Sequence, residues 1–305
     1  GMLLGVLWFY ARRGTLGDKG LPPGYKEKGL TELVGKDWRD VILYTIGNVA
    51  FVFLVMFIWN NTPELVHTIM VWVLGIAGVG FIGMSIFKGT NGSTEWTRVF
   101  VILILAFFNI VFWAGFEQAG GTFNLFAQEN TDRVVGGFEI PTTWFQNINP
   151  IVIVTLAPLF SILWVKLAAK RLNPRTPIKF AMAMFVGAFA FFIMTQAQNS
   201  ADAGNMVSPM WLVVVYALLT VGELMLSPIG LSMVTKLSPS NITSIMMGVW
   251  MASFALGNYL AATLEQILTT YDFALYPFIT YLMLASGASL LLLSPLLNKF
   301  MKGIH

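Results

Sequence analysis

Eight apolar runs, each long enough to cross a bilayer, leave this chain few ways to fold; they cover about 41–59, 65–87, 99–125, 144–167, 178–198, 207–235, 242–267 and 275–298. Crossing about 30 Å of hydrocarbon takes about 20 apolar residues at about 1.5 Å each. No water reaches the backbone there, so such a run must close its own hydrogen bonds as a helix. The expected fold class is an all-α polytopic membrane protein. Composition agrees: 56% of the 305 residues are hydrophobic and 11% are charged, where a soluble domain carries about 25% charged residues.

The charges sort by side. With an even number of complete spans, both ends fall on one side of the membrane. Every Lys and Arg except Arg133 falls on that side too. The positive-inside rule makes that side cytoplasmic, which predicts a multi-pass protein of the plasma or inner membrane with both ends inside. A net charge of +3, spread over short loops, points to the lipid bilayer as a partner and not to nucleic acid. The opening residues 1–13 read as the tail of a spanning helix, and a chain that starts on Gly1 is expected to be partial. Residues 14–40 contain G-D-K-G-L-P-P-G-Y-K-E-K-G and read as a cytoplasmic linker. The first two spans are joined by N-N-T-P-E, which predicts a tight hairpin within 41–96. Gly75, Gly78, Gly80 and Gly83 in its second arm predict close helix approach.

Chemistry is narrowly bounded. There is no cysteine, and the two histidines are His67 and His305. No metal site, thiolate chemistry or cofactor is therefore expected. The spans hold no H-E-x-x-H, no paired aspartates and no Ser/His pair, so an enzyme is not expected.

Two acids stand well inside spans, Glu117 and Glu223. A charge near the bilayer centre costs about 2.5–3.5 kcal/mol on insertion scales, so each needs a purpose. Glu223 falls mid-run in 210–235, with Ser227 one turn on along the same face. Pro228 cannot donate to the carbonyl of Leu224, so acid, hydroxyl and freed carbonyl cluster at mid-depth. Glu117 follows an apolar run of 18 residues, Val99–Phe116, broken only by Asn109. A helix starting at Val99 puts it about 27 Å in, near the outer interface. A helix running on to Ala127 puts it in the outer half instead. Trp113 and Gly120/Gly121, a turn to either side, suggest a packed face. Gln146, Asn147 and Asn149 before Pro150 read equally as helix caps or as donors lining a cavity. Trp250, Phe254 and Gly257 share a face that reads first as packing.

These stretches also look familiar. F-E-Q-A-G-G, F-A-Q-E-N-T-D-R, W-F-Q-N-I-N-P, A-P-L-F-S-I-L-W and G-E-L-M-L-S-P-I-G-L-S follow one another through the chain. In that order they resemble the proton-dependent oligopeptide transporter family of the major facilitator superfamily. The resemblance implies two six-helix bundles with a two-helix hairpin inserted between them. Residues 1–13 would be the end of helix six, 41–96 the inserted hairpin and 97–305 the C-terminal six-helix bundle.

The resemblance also implies roles. Glu117 matches a helix-seven acid that takes part in proton coupling and pairs with a helix-one arginine. Glu223 matches a helix-ten acid that meets the peptide's amino terminus and is the second proton-coupling candidate. Asn149 matches an asparagine bonding the same end of the peptide. Trp113 and Trp250 match pocket tryptophans, and Ser227 lies where a pocket hydroxyl is expected. The family's E-x-x-E-R-F-x-Y-Y element and its basic residues for the peptide carboxylate have no counterpart in these residues. The chain is thus expected to supply one wall of a pocket for di- and tripeptides, with protons as the coupling ion and no other cofactor. The missing N-terminal six-helix bundle is its expected partner, and alone the chain should not transport. Rival readings are a drug, nitrate or sugar carrier of the same superfamily, and a scaffold that binds peptide without moving it. An anion site would want a buried arginine and a sugar site would lack the central acid; neither feature is seen.

Overall fold

The computed structural model of the chain describes residues 8, 9, 11, 12, 14 and 25–302. The stub expected over 1–13 and the first part of the connector fall mostly outside them. The chain divides into two units, residues 1–78 and 79–305.

In the first unit, α1 (Tyr25–Asn61) leads into α2 (Glu64–Gly89), which continues into the second unit. The connector expected over 14–40 is therefore helical from Tyr25 onward. The breakers Pro22, Pro23 and Gly24 lie upstream, and the next proline is Pro63. The hairpin turn between α1 and α2 is closed locally. Asn61 Nδ2 donates to Phe57 O at 2.7 Å, Thr62 Oγ1 to Ile58 O at 2.7 Å, and Val66 N to Pro63 O at 2.9 Å. The close approach expected at Gly75, Gly78, Gly80 and Gly83 is not made among the described residues, of which none lies within 4 Å of a Cβ placed at any of them. Small size permits such contact and does not compel it.

The second unit is a helical bundle. After α2 come α3 (Gly92–Phe116), α4 (Thr122–Glu129), a hairpin of β1 (Val134–Val135) with β2 (Phe138–Glu139), α5 (Ile148–Ala169), α6 (Thr176–Asp202), α7 (Met210–Leu237), α8 (Thr243–Thr270) and α9 (Leu275–Met301). Among the described residues six helical units are long and apolar enough to cross a membrane, beginning at Gly92, Thr142, Thr176, Met210, Thr243 and Leu275. They coincide with the last six runs expected from the sequence. The apolar stretches Ile42–Ile58 and Gly75–Gly89 lie in the hairpin arms.

Packing runs α9 on α6, α6 on α7, and α3 on α8, with α5 lying against α7. No residue of α5 is buried. The core is filled by aromatic and branched side chains, including Phe112, Phe180, Phe191, Leu212 and Met283. Two glycines set helix spacing by close approach. A Cβ at Gly257 would lie 2.6 Å from Trp113 Cβ, and one at Gly230 would run into Trp250 Cζ2. Any larger residue would push α8 from α3 or evict the indole. At one end Lys302 Nζ reaches Thr94 Oγ1; at the other, Asp132 N donates to Val207 O at 2.9 Å and Val207 N to Asn130 O at 2.8 Å.

Candidate functional site

The site begins with a break. The run expected as one helix over 99–125 stops at Phe116, turns through a 3-10 segment, Glu117–Ala119, and resumes as α4 at Thr122. Gly120 and Gly121 sit in the gap, where their backbone freedom makes helix interior unfavourable. A break at membrane depth frees carbonyls that must find other donors. Gln118, 1% exposed, sends Nε2 to Ala114 O at 3.1 Å and to Ala261 O of α8 at 3.0 Å. Its Oε1 accepts from Thr122 Oγ1 at 3.0 Å, and Tyr216 Oη of α7 donates to Ala119 O at 2.7 Å. The corner is tied to both neighbouring helices. Gln118→Leu is expected to destabilise the protein by about 1–3 kcal/mol, since it removes the bonds to Ala114 O and Ala261 O and leaves the Thr122 hydroxyl without its acceptor. A thermal unfolding midpoint in detergent checks this, and an unchanged midpoint would refute the locking role.

That corner carries Glu117, which is half-buried. The eight residues of α4 continue beyond it, so Glu117 lies short of the outer end of its span. Its carboxylate opens onto a cleft of about 170 Å³, lined also by Gly120, Gln146, Asn149, Tyr216 and Thr220.

Across the cleft, α5 and α7 hold a polar triad. Asn149, the second residue of α5, donates from Nδ2 to Glu223 Oε2 at 2.8 Å and to Thr220 Oγ1 at 3.1 Å. Thr220 Oγ1 in turn donates to Tyr216 O at 2.7 Å. Thr220 and Glu223 stand three apart on one face of α7, so a single amide can bridge them. Of the two cap-or-cavity readings of Asn149, the second is the one the structure takes, because its amide leaves the helix end for α7.

The aromatic expectations divide. Trp113 is half-buried beside the site, its ring centroid 4.8 Å from those of Phe116 and Phe254, and its buried Nε1 has no partner among the described residues. The buried Oγ of Ser227, one turn beyond Glu223, likewise has none among them. Trp250 is different: it is fully buried, seated over Gly230 and edge-on to Phe180 at 6.1 Å. In this structure it is a core residue, not a wall of the cleft. Its face of α8 is turned inward by Ser253, which donates to Trp250 O at 2.6 Å and accepts from buried Asn109 Nδ2 at 2.7 Å.

The sequence model of the POT family matches residues 22–280. The chain belongs to the POT family. Among curated relatives, it is 41% identical to the peptide transporter YePEPT of Yersinia enterocolitica over 202 residues, which are 65% of this chain and 39% of that protein. It is 32% identical to the uncharacterized transporter YclF of Bacillus subtilis over 100% of this chain and 60% of the relative. Dipeptide and tripeptide permease B of Salmonella typhimurium is 28% identical over 86% of this chain and 52% of its own length. The crystal structure of a peptide transporter POT in complex with sulfate superposes with a TM-score of 0.71 at 28% identity, covering 99% of this chain and 61% of that one. A mutant of the peptide transporter POT in complex with alafosfalin gives 0.70 at 28% identity, over 99% of this chain and 60% of that one. This POT chain thus spans between 39% and 61% of the length of those proteins. The relatives are transporters, and the chain is a multi-pass membrane protein of the major facilitator kind.

Sequence reasoning missed three members of this POT site, Gln118, Tyr216 and Thr220. Thr220 had a usable signal, lying three residues before the mid-span acid.

Proposed function

We propose that this chain is the C-terminal part of a proton-coupled symporter that carries di- and tripeptides into the cell by alternating access. The observation that carries the reading is the 2.8 Å bond from Asn149 to Glu223, in a triad beside the Glu117 cleft. A carboxylate held by one amide at mid-depth keeps a lone pair for a cationic ligand group, and the peptide ammonium is such a group. Asn149 orients the carboxylate, and Glu223 takes the ammonium. Ser227 and Trp113 are the further contacts on this wall.

Glu117 serves as the switch. Ionised, it holds a helix-one arginine of the N-terminal bundle; protonated, it lets that arginine go, and the two bundles rock about the midplane site. No cofactor is needed beyond the protons. Both ends of the chain are cytoplasmic, in the plasma or inner membrane, and the N-terminal bundle supplies the wall for the peptide carboxylate. The relatives named as peptide transporters and permeases support this reading, as does the alafosfalin complex of a POT structure.

The test is uptake by the complete protein in proteoliposomes. An inward proton gradient should drive dipeptide accumulation, and its collapse should abolish it. Peptide binding without accumulation would overturn symport in favour of a binding scaffold.

A further inference from the structure

We propose that the basic end of the bundle, remote in the fold from the Glu117 cleft, holds a binding site for a phosphate group centred on Lys179. Lys179 lies at the start of α6 and is 8% exposed. Its ammonium sits 4.2 Å from the ring centroid of Trp164 on α5. Lys236 of α7 lines the same cleft, and its like charge opposes that of Lys179. Among the described residues no carboxylate pairs with Lys179.

Holding the ammonium of a mostly buried side chain beside a like charge is unfavourable, and a ring face offsets only part of the loss. The surroundings are built for an anion. A cleft of about 250 Å³ brings Lys179 and Lys236 together with Thr176, Ser232 and Asn173. A second cleft of about 300 Å³ shares Asn173, Thr176 and Lys179 and adds Arg171 and Arg175. The positive end of α6 opens there as well, at Thr176. The Lys179 ammonium, the hydroxyls of Thr176 and Ser232 and the Asn173 amide converge on a space that a phosphate fills, its oxygens accepting from them. Among the described residues no acidic side chain lines either cleft.

The phosphate has two possible sources. An anionic phospholipid can bring its headgroup in along α5, no residue of which is buried in the bundle. Inorganic phosphate can enter from water. The complete protein is therefore melted in phosphatidylcholine nanodiscs alone, with added phosphatidylglycerol, and with added inorganic phosphate. Wild type is expected to melt higher with at least one probe, and the responding arm names the source. Lys179→Met keeps the length of the stem and removes the buried charge, so it should fold and melt no lower than wild type in phosphatidylcholine alone. It should bind the responding probe about tenfold more weakly or worse, losing the response. Lys179→Arg should retain the response, and so should Lys170→Met, which removes an exposed cation from the same loop. No response of wild type to either probe would overturn the site. An equal response from Lys179→Met would overturn it too.

Discussion

Glu223→Gln in the complete protein is expected to lower proton-driven dipeptide uptake at limiting substrate by about thirtyfold at the least. The carboxamide is nearly isosteric and can still meet Asn149 Nδ2, so the triad and the fold survive. What it loses is charge. Removing one member of a desolvated, hydrogen-bonded ion pair costs about 2–5 kcal/mol, and the lower figure already corresponds to about thirtyfold. The loss should be largest for KM, because the interaction is made with bound substrate. Thr220→Val would not reproduce it, since Thr220 bonds to Asn149 and to its own helix. Uptake by Glu223→Gln at the wild-type level would remove Glu223 from the ammonium site.

Glu117→Gln is expected to act on coupling. The side chain sits at a corner tied by Gln118 and Tyr216, so the substitution leaves its surroundings in place. A carboxamide resembles the protonated acid permanently. It cannot hold the arginine partner as an ion pair, and it cannot discharge a proton. Accumulation against a gradient should fall to the level seen without one. Exchange of external for internal peptide needs no net proton movement and should persist. Loss of both activities together would instead mark Glu117 as part of the binding wall, and retention of both would end its role as a switch.

Much of this was legible in the chain because hydrocarbon permits so little. A run such as 275–298 has no alternative to a helix, and α9 occupies Leu275–Met301. The interruption after Phe116 was less legible. Gly120 and Gly121 marked it, but whether a helix bends, breaks or runs through such a pair depends on donors elsewhere. Those donors, Gln118 and Tyr216, are recognisable only once α7 and α8 are beside α3. The same limit explains Trp250. Its stripe on α8 read as packing from the residues alone and as pocket wall from the family resemblance; Gly230 opposite it makes the packed seat. The short hairpin of β1 and β2 carries Gly136 and Gly137 at its tip with φ of 60° and 83°. V-V-G-G-F-E was a turn signal that went unread between two spans.

The central claim is that the triad of Asn149, Thr220 and Glu223 receives the amino end of a peptide. The most direct measurement is a cycle on the complete protein: binding of a dipeptide and of its N-acetylated form, to wild type and to Glu223→Gln. The account predicts that acetylation costs wild type about thirtyfold or more in affinity and costs the variant much less, because the charge it removes has already lost its partner. An equal loss on acetylation in both proteins would contradict it.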